Sequence, residues 1–163
     1  PDIYQGTEAS DTSLVDPDNR RMPDYPRLTI PAQEPPSSDF NVTKAWLINS
    51  VLALRWRHPD LFAHGDYVPL ESSGERKEHV VAFARQLRGD AVIVVAPRLV
   101  HSAVSGGSLL GGDYWKNTAL SLPEGVRSLR EAFGHDAVSN QNGRVTLAEL
   151  FRQRPFALLV ASD

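Results

Sequence analysis

The sequence predicts a mainly β protein, an antiparallel sandwich preceded by a long loop and a single helix. Three observations carry that expectation. From Gly65 onward, seven short runs of β-type residues follow at near-regular spacing, parted by clusters of Gly, Ser, Asn and Pro. Ahead of them, seven of the twelve prolines crowd into residues 1–36, where apolar periodicity is nearly absent. Between the two lies one long apolar-rich segment, DFNVTKAWLINSVLALRWRHPD, with a capping residue at its start and a proline near its end.

The elements follow in order. Proline fixes φ and removes a backbone donor, so residues 1–38 read as an irregular loop. Loops longer than about 12–15 residues are uncommon in compact domains unless they carry function, which makes this one a place to look for a site. Asp39 or Asn41 caps the helix, and Pro59 with the residue before it stops it. On a helical wheel Val42, Ala45, Trp46, Leu52, Ala53 and Trp56 share one wide apolar face, while Leu47, Val51 and Leu54 form a second. A helix apolar on two sides needs partners on two sides, more than one small domain supplies. The β runs are DYVPLE, HVVAFARQL, DAVIVVAP, TALSLP, VRSLREAF, RVTLAEL and PFALLVA. Residues 91–96, apolar on both faces, fit a central strand, and LAELFRQ also fits a helical turn.

Composition narrows the function. At 163 residues, with 41% hydrophobic and 23% charged side chains, the chain is one globular domain, or one domain and a piece of another. A formal charge of −3 argues against a nucleic-acid partner, whose binders carry a strong basic surplus. With no cysteine there is no disulfide framework or thiolate metal site, which favours a reducing compartment; the cytoplasm is the expected location. The longest apolar runs, such as residues 91–97, fall far short of the roughly 18 residues that span a bilayer. No signal peptide is visible, and no membrane partner is expected.

Most candidate motifs fail on chemistry. SGGSLLGGDYW lacks the Lys-Ser or Lys-Thr that ends a phosphate-binding loop, and Leu110 stands where a nucleophile elbow needs glycine, so a hairpin loop is expected. Asp16-Pro17-Asp18-Asn19 lacks the sixth-position glycine and distal glutamate of a calcium loop. His58, His64, His79, His101 and His135 show no ligand spacing, so neither metal nor cofactor is expected. Asn41-Val42-Thr43 is a formal glycosylation sequon at a helix start. Asp2, Glu8, Asp11, Asp16 and Asp18 cluster near one end, but no regular element spans residues 6–38 to hold two of them as a catalytic pair. Contact with sugar is the better reading, because guanidinium forks and carboxylates grip vicinal hydroxyls through paired hydrogen bonds.

PDIYQGTE (residues 1–8) resembles the end of the eighth barrel strand in the α-amylase family of glycoside hydrolases and transglycosylases, where Pro-x-x-Tyr-x-Gly-x-Glu leads into the last βα loop. SLVDPDNRR, with Asp24-Tyr25 beyond it, RHPDLFAHGDYVPL, HVVAFAR and YWKNTALSLP together resemble the maltooligosyltrehalose synthase branch of that family. The chain differs from the branch in placing Met22 between Arg21 and Pro23.

The resemblance implies a parent (β/α)8 barrel with its chemistry at the C-terminal ends of the strands. Residues 1–57 would be the end of that barrel (strand end 1–4, loop 5–38, last helix 41–57), and residues 58–163 an amylase-type C-terminal β-sandwich. The parent would convert the reducing-end α-1,4 bond of a maltooligosaccharide into an α,α-1,1 bond. Its catalytic carboxylates would lie upstream of Pro1, leaving none in this chain and the chain alone inactive. Tyr4, Gln5, Asp16, Asp18, Asn19, Arg20 and Arg21 would form one wall of the substrate pocket. Arg20 and Arg21 could equally pair with Asp16, Asp18 and Asp24 to brace the loop. The missing barrel would be the partner of the doubly apolar helix, whose bare face would let the isolated piece self-associate. Two alternatives stand: the equivalent part of an oligo-1,6-glucosidase or neopullulanase, and a carbohydrate-binding sandwich without a catalytic parent. For the latter, Trp115 and Tyr114 would be the platform, with Trp46 and Trp56 expected on a buried helix.

Overall fold

A computed structural model of the chain describes residues 4, 6–12, 22–28, 30–35, 39–101, 109–126, 128–134 and 136–161. The chain divides into two compact units, Pro1–His58 and Pro59–Asp163.

The first unit is built on α1 (Phe40–Arg57). Asp39, in extended conformation, caps it: its carboxylate accepts from the amides of Asn41 at 2.9 Å and Val42 at 3.3 Å. The side chain satisfies amides that have no partner inside the helix. Arg55 and Arg57 sit in the last turn, where positive charge complements the helix dipole. The expected wide apolar face does not behave as one surface. Ala45, Trp46 and Leu54 are buried, whereas Leu52, Ala53 and Trp56 are exposed, Trp56 to 84%. The expectation that Trp56 is buried is therefore wrong. Wheel position states which residues share a side, and coverage along the helix axis is a separate matter. Ahead of the helix, Tyr25–Arg27 form a single 3-10 turn.

The second unit opens with α2 (Pro59–His64), unforeseen in the sequence. Pro59 stops α1, yet proline is also well suited to the first position of a helix, and Asp60 follows in the first turn. Gly65 ends α2 where the chain passes close to strand backbone: a Cβ there would lie 2.4 Å from Leu61 O and 3.1 Å from Gln86 O. The β elements are β1 (Asp66–Pro69), β2 (Ser72–Ser73), β3 (Val80–Leu87), β4 (Asp90–Pro97), β5 (Ala119–Ser121), β6 (Arg130–Glu131), β7 (Arg144–Thr146) and β8 (Ala157–Ala161). They form an antiparallel five-stranded sheet, β1-β3-β4-β8-β6, and an antiparallel three-stranded sheet, β2-β5-β7.

Each of the seven sequence runs contains a strand, and the apolar run 91–96 lies within β4, third of five in its sheet. The β3–β4 hairpin closes through Arg88 and Gly89, both at positive φ (52° and 98°), as the two-residue turn that matches strand twist requires. Alternate residues of the large sheet (Ala82 and Ala84, Ile93 and Val95, Leu159 and Ala161) join Leu120 and Val145 of the small sheet in one core. Two further helical turns cap it: α3 (Gly112–Trp115) and α4 (Leu147–Leu150). Thr146 settles the ambiguous RVTLAEL run. Its hydroxyl accepts from the Glu149 amide at 3.3 Å, so the strand ends and a helical turn begins there. Among the described residues, no helix is long and apolar enough to cross a membrane.

Candidate functional site

Of the seven residues expected to face sugar, only Tyr4 falls within the described structure; Gln5, Asp16, Asp18, Asn19, Arg20 and Arg21 lie outside it. So does the Asp16–Asn19 stretch weighed as a calcium loop, as do residues 105–108 of the SGGSLLGGDYW segment. Tyr4 is 63% exposed at the start of a tight turn. Its carbonyl accepts from Thr7 Oγ1 at 2.6 Å and from Thr7 N at 3.3 Å. Gly6 makes the turn possible at φ +86°, and a Cβ there would meet Pro23 Cβ at 2.6 Å.

Beyond the turn the chain is tied to α1. Lys44 Nζ donates to Ala9 O at 3.0 Å, and Ser10 N donates to Asn41 Oδ1 at 2.8 Å. Asn41 thus holds the incoming segment, which leaves the capping to Asp39. Both chain neighbours of Glu8 are held, Thr7 by the turn and Ala9 by Lys44. Glu8 Oε2 is buried without a hydrogen-bond partner among the described residues, as is Thr43 Oγ1 of α1. The sequence put Glu8 at the end of the Pro-x-x-Tyr-x-Gly-x-Glu motif but did not reveal this anchoring, because the side chains that hold Ala9 and Ser10 lie 35 and 31 positions away from them. Chemically, the region offers an exposed phenol that can stack on a sugar ring or share a hydrogen bond with its hydroxyls.

The second unit corrects the expected aromatic platform. Trp115 has 0% exposure: its Nε1 donates to Leu109 O at 2.8 Å, and its ring meets Phe151 at 5.0 Å. It is a core residue. Tyr114 is half-buried, with its hydroxyl 3.1 Å from His79 Nδ1 and the Arg76 guanidinium 5.0 Å from its ring centroid. Among the described residues, no three of His, Cys, Asp and Glu gather closely enough to hold a metal ion.

A charged pair that the sequence did not reveal lies at the edge of the large sheet. Glu131 Oε1 stands 3.1 Å from Arg154 Nη1, with the two side chains only 14% and 10% exposed. Glu131 Oε1 makes no hydrogen bond of good geometry, so this contact is chiefly electrostatic. Oε2 accepts from Phe133 N at 2.9 Å and Gly134 N at 2.7 Å, and the guanidinium lies 5.3 Å from the Phe133 ring centroid. A cavity of about 90 Å³ beside the pair is lined by Asp136, Glu149, Arg152 and Gln153 among others. Because the carboxylate is engaged internally through both oxygens, the pair reads as a brace for the 131–136 turn.

No protein-family model matches the chain. In sequence it is 37% identical over 167 aligned residues to the putative maltooligosyl trehalose synthases of two Mycobacterium tuberculosis strains, covering 100% of this chain and 19% of each relative. The chain spans about a fifth of the length of these curated relatives. Among solved structures, a mutant maltooligosyltrehalose synthase from Arthrobacter ramosus aligns with a TM-score of 0.74 at 33% identity, covering 99% of this chain and 20% of that one.

Proposed function

We propose, from the premise that this chain resembles a portion of maltooligosyltrehalose synthase along its whole length, that it is the C-terminal part of such an enzyme. The observation that carries the reading is the joint coverage: all of this chain against 19% of each relative at 37% identity. The exposed Leu52 and Trp56 on α1 support it, since a helix with apolar side chains in water is suited to a neighbour elsewhere. In this reading α1 is the last helix of a (β/α)8 barrel, and the β unit is its C-terminal sandwich.

The complete enzyme rearranges the reducing-end α-1,4 bond of a maltooligosaccharide into an α,α-1,1 bond. A carboxylate attacks the anomeric carbon while a carboxylic acid protonates the departing oxygen, which leaves a glycosyl ester and glucose. The trapped glucose attacks through its own anomeric hydroxyl, returns the proton to the acid's conjugate base and frees the nucleophile. Both carboxylates belong to earlier barrel strands. This chain contributes pocket wall, with Tyr4 at the strand end and the 16–21 loop segment beyond it.

Maltopentaose incubation tests the reading. The longer protein should convert it to a non-reducing product, and this chain alone should form none. Transfer activity in the isolated chain, or a longer protein that only hydrolyses, would overturn the proposal.

A further inference from the structure

We propose that Glu8 is a positioning residue whose carboxylate receives a basic side chain from the part of the longer protein outside these 163 residues. The inference rests on the reading above, that such a longer protein exists, and adds to it a specific contact.

The argument begins with how firmly Glu8 is placed. On one side, Thr7 folds back onto Tyr4 through its amide and its hydroxyl, with Gly6 packed against Pro23. On the other, Ala9 O and Ser10 N are held by Lys44 and Asn41. The backbone at Glu8 is therefore fixed on both sides. Yet Glu8 is half-buried, and its Oε2 is out of solvent and accepts no hydrogen bond among the described residues. Lys44, the cation that reaches this segment, donates to Ala9 O and not to that oxygen. Buried acceptors are nearly always satisfied in native proteins, and a carboxylate oxygen is among the costliest to leave bare.

The helix that anchors the segment carries a second orphan. Thr43 Oγ1 of α1 is also buried without a partner among the described residues. A carboxylate oxygen kept from water and without a donor among the described residues marks a place built to meet something polar. Glu8 requires a donor, and Thr43 can offer a hydroxyl proton or accept one. The chemistry that serves a fixed carboxylate best is a cation with several N–H groups, and arginine's planar fork fits it better than a lysine point charge. Because the same turn carries Tyr4, this contact would set where the phenol stands in the pocket without touching the reacting atoms.

The test is Glu8→Gln in two settings, this chain and the complete protein, read by amide hydrogen exchange over residues 6–12, with β4 as the control for folding. In this chain the neutral amide relieves an unmatched charge, so exchange should be unchanged or slower. In the complete protein the same substitution removes a charge-assisted contact, so exchange there should speed up by about tenfold. The KM for maltopentaose should rise by about fivefold while kcat stays within about twofold, as expected when binding geometry rather than chemistry is disturbed. Equal effects in the two settings would mean that water or a local group satisfies Glu8, and would overturn the proposal. So would unchanged exchange and KM in the complete protein. Those results leave the synthase reading standing, whereas a longer protein that forms no non-reducing product refutes that reading and leaves the exchange comparison intact. A reading frame confined to these residues would sink both.

Discussion

The buried pair of Glu131 and Arg154 makes a quantitative prediction about what holds the β unit together. With 3.1 Å between charges and both side chains at most 14% exposed, water screens the attraction weakly. At an effective dielectric near 20, Coulomb attraction at that distance is about 5 kcal/mol, most of which offsets the cost of removing both ions from water. Loss of one partner is different. Glu131→Ala would strip the guanidinium of its carboxylate and leave the amides of Phe133 and Gly134 without their acceptor. The expected cost is about 3–5 kcal/mol, the range for breaking a buried pair. Replacing both members by Glu131→Leu and Arg154→Met should recover most of that loss, since hydrophobic residues of similar volume escape the desolvation penalty. Urea unfolding followed by tryptophan fluorescence measures both, with buried Trp115 as the reporter in this unit. A single substitution costing under about 1 kcal/mol, or a double mutant equal to the sum of its singles, would refute the reasoning.

Trp115 and Trp56 should separate cleanly in urea unfolding followed by far-ultraviolet circular dichroism, which does not depend on either side chain as a reporter. Trp115→Ala should cost about 3–5 kcal/mol as a cavity in the core, and Trp56→Ala should stay within about 0.5 kcal/mol in this chain; similar losses would contradict the burial of one and the exposure of the other. Gly6→Ala should destabilise the Tyr4–Thr7 turn by about 1–3 kcal/mol, because a positive φ and a close approach to Pro23 both exclude a side chain. It would be seen as faster exchange of the Thr7 amide, and unaltered exchange would count against that geometry.

What the sequence revealed follows the range of the forces involved. Strand positions depend on local alternation and turn residues, so every apolar β run contains its strand, and Arg88-Gly89 closes the central hairpin. Ser72–Ser73 carries no such signal and becomes a strand only by pairing with Ala119 and Leu120. Pro59 marked the end of α1 correctly, but the same residue begins α2, a double use that a stop signal alone does not convey. Trp115 stood as the platform candidate because Trp46 and Trp56 were expected on a buried helix. Its burial depends on Phe151, which packs against it from a distant stretch of chain. The candidate site was legible only as a motif, of which Tyr4 and Gly6 to Glu8 are described, while the side chains that tie Ala9 and Ser10 to the helix follow no pattern in the sequence.

The place of β8 in its sheet has a consequence for intermediates. It lies between β4 and β6, and among the described residues the short β6 strand pairs with no other strand, its further bridge being Arg130 to Ala137. Clipping residues 157–161 would therefore detach β6 and bare the flank of β4, a run of Ala, Val and Ile with unpaired backbone donors and acceptors. Such an edge is a template for pairing with another chain. Nicked or partly synthesised molecules should aggregate through that flank, and a chaperone would find its target there.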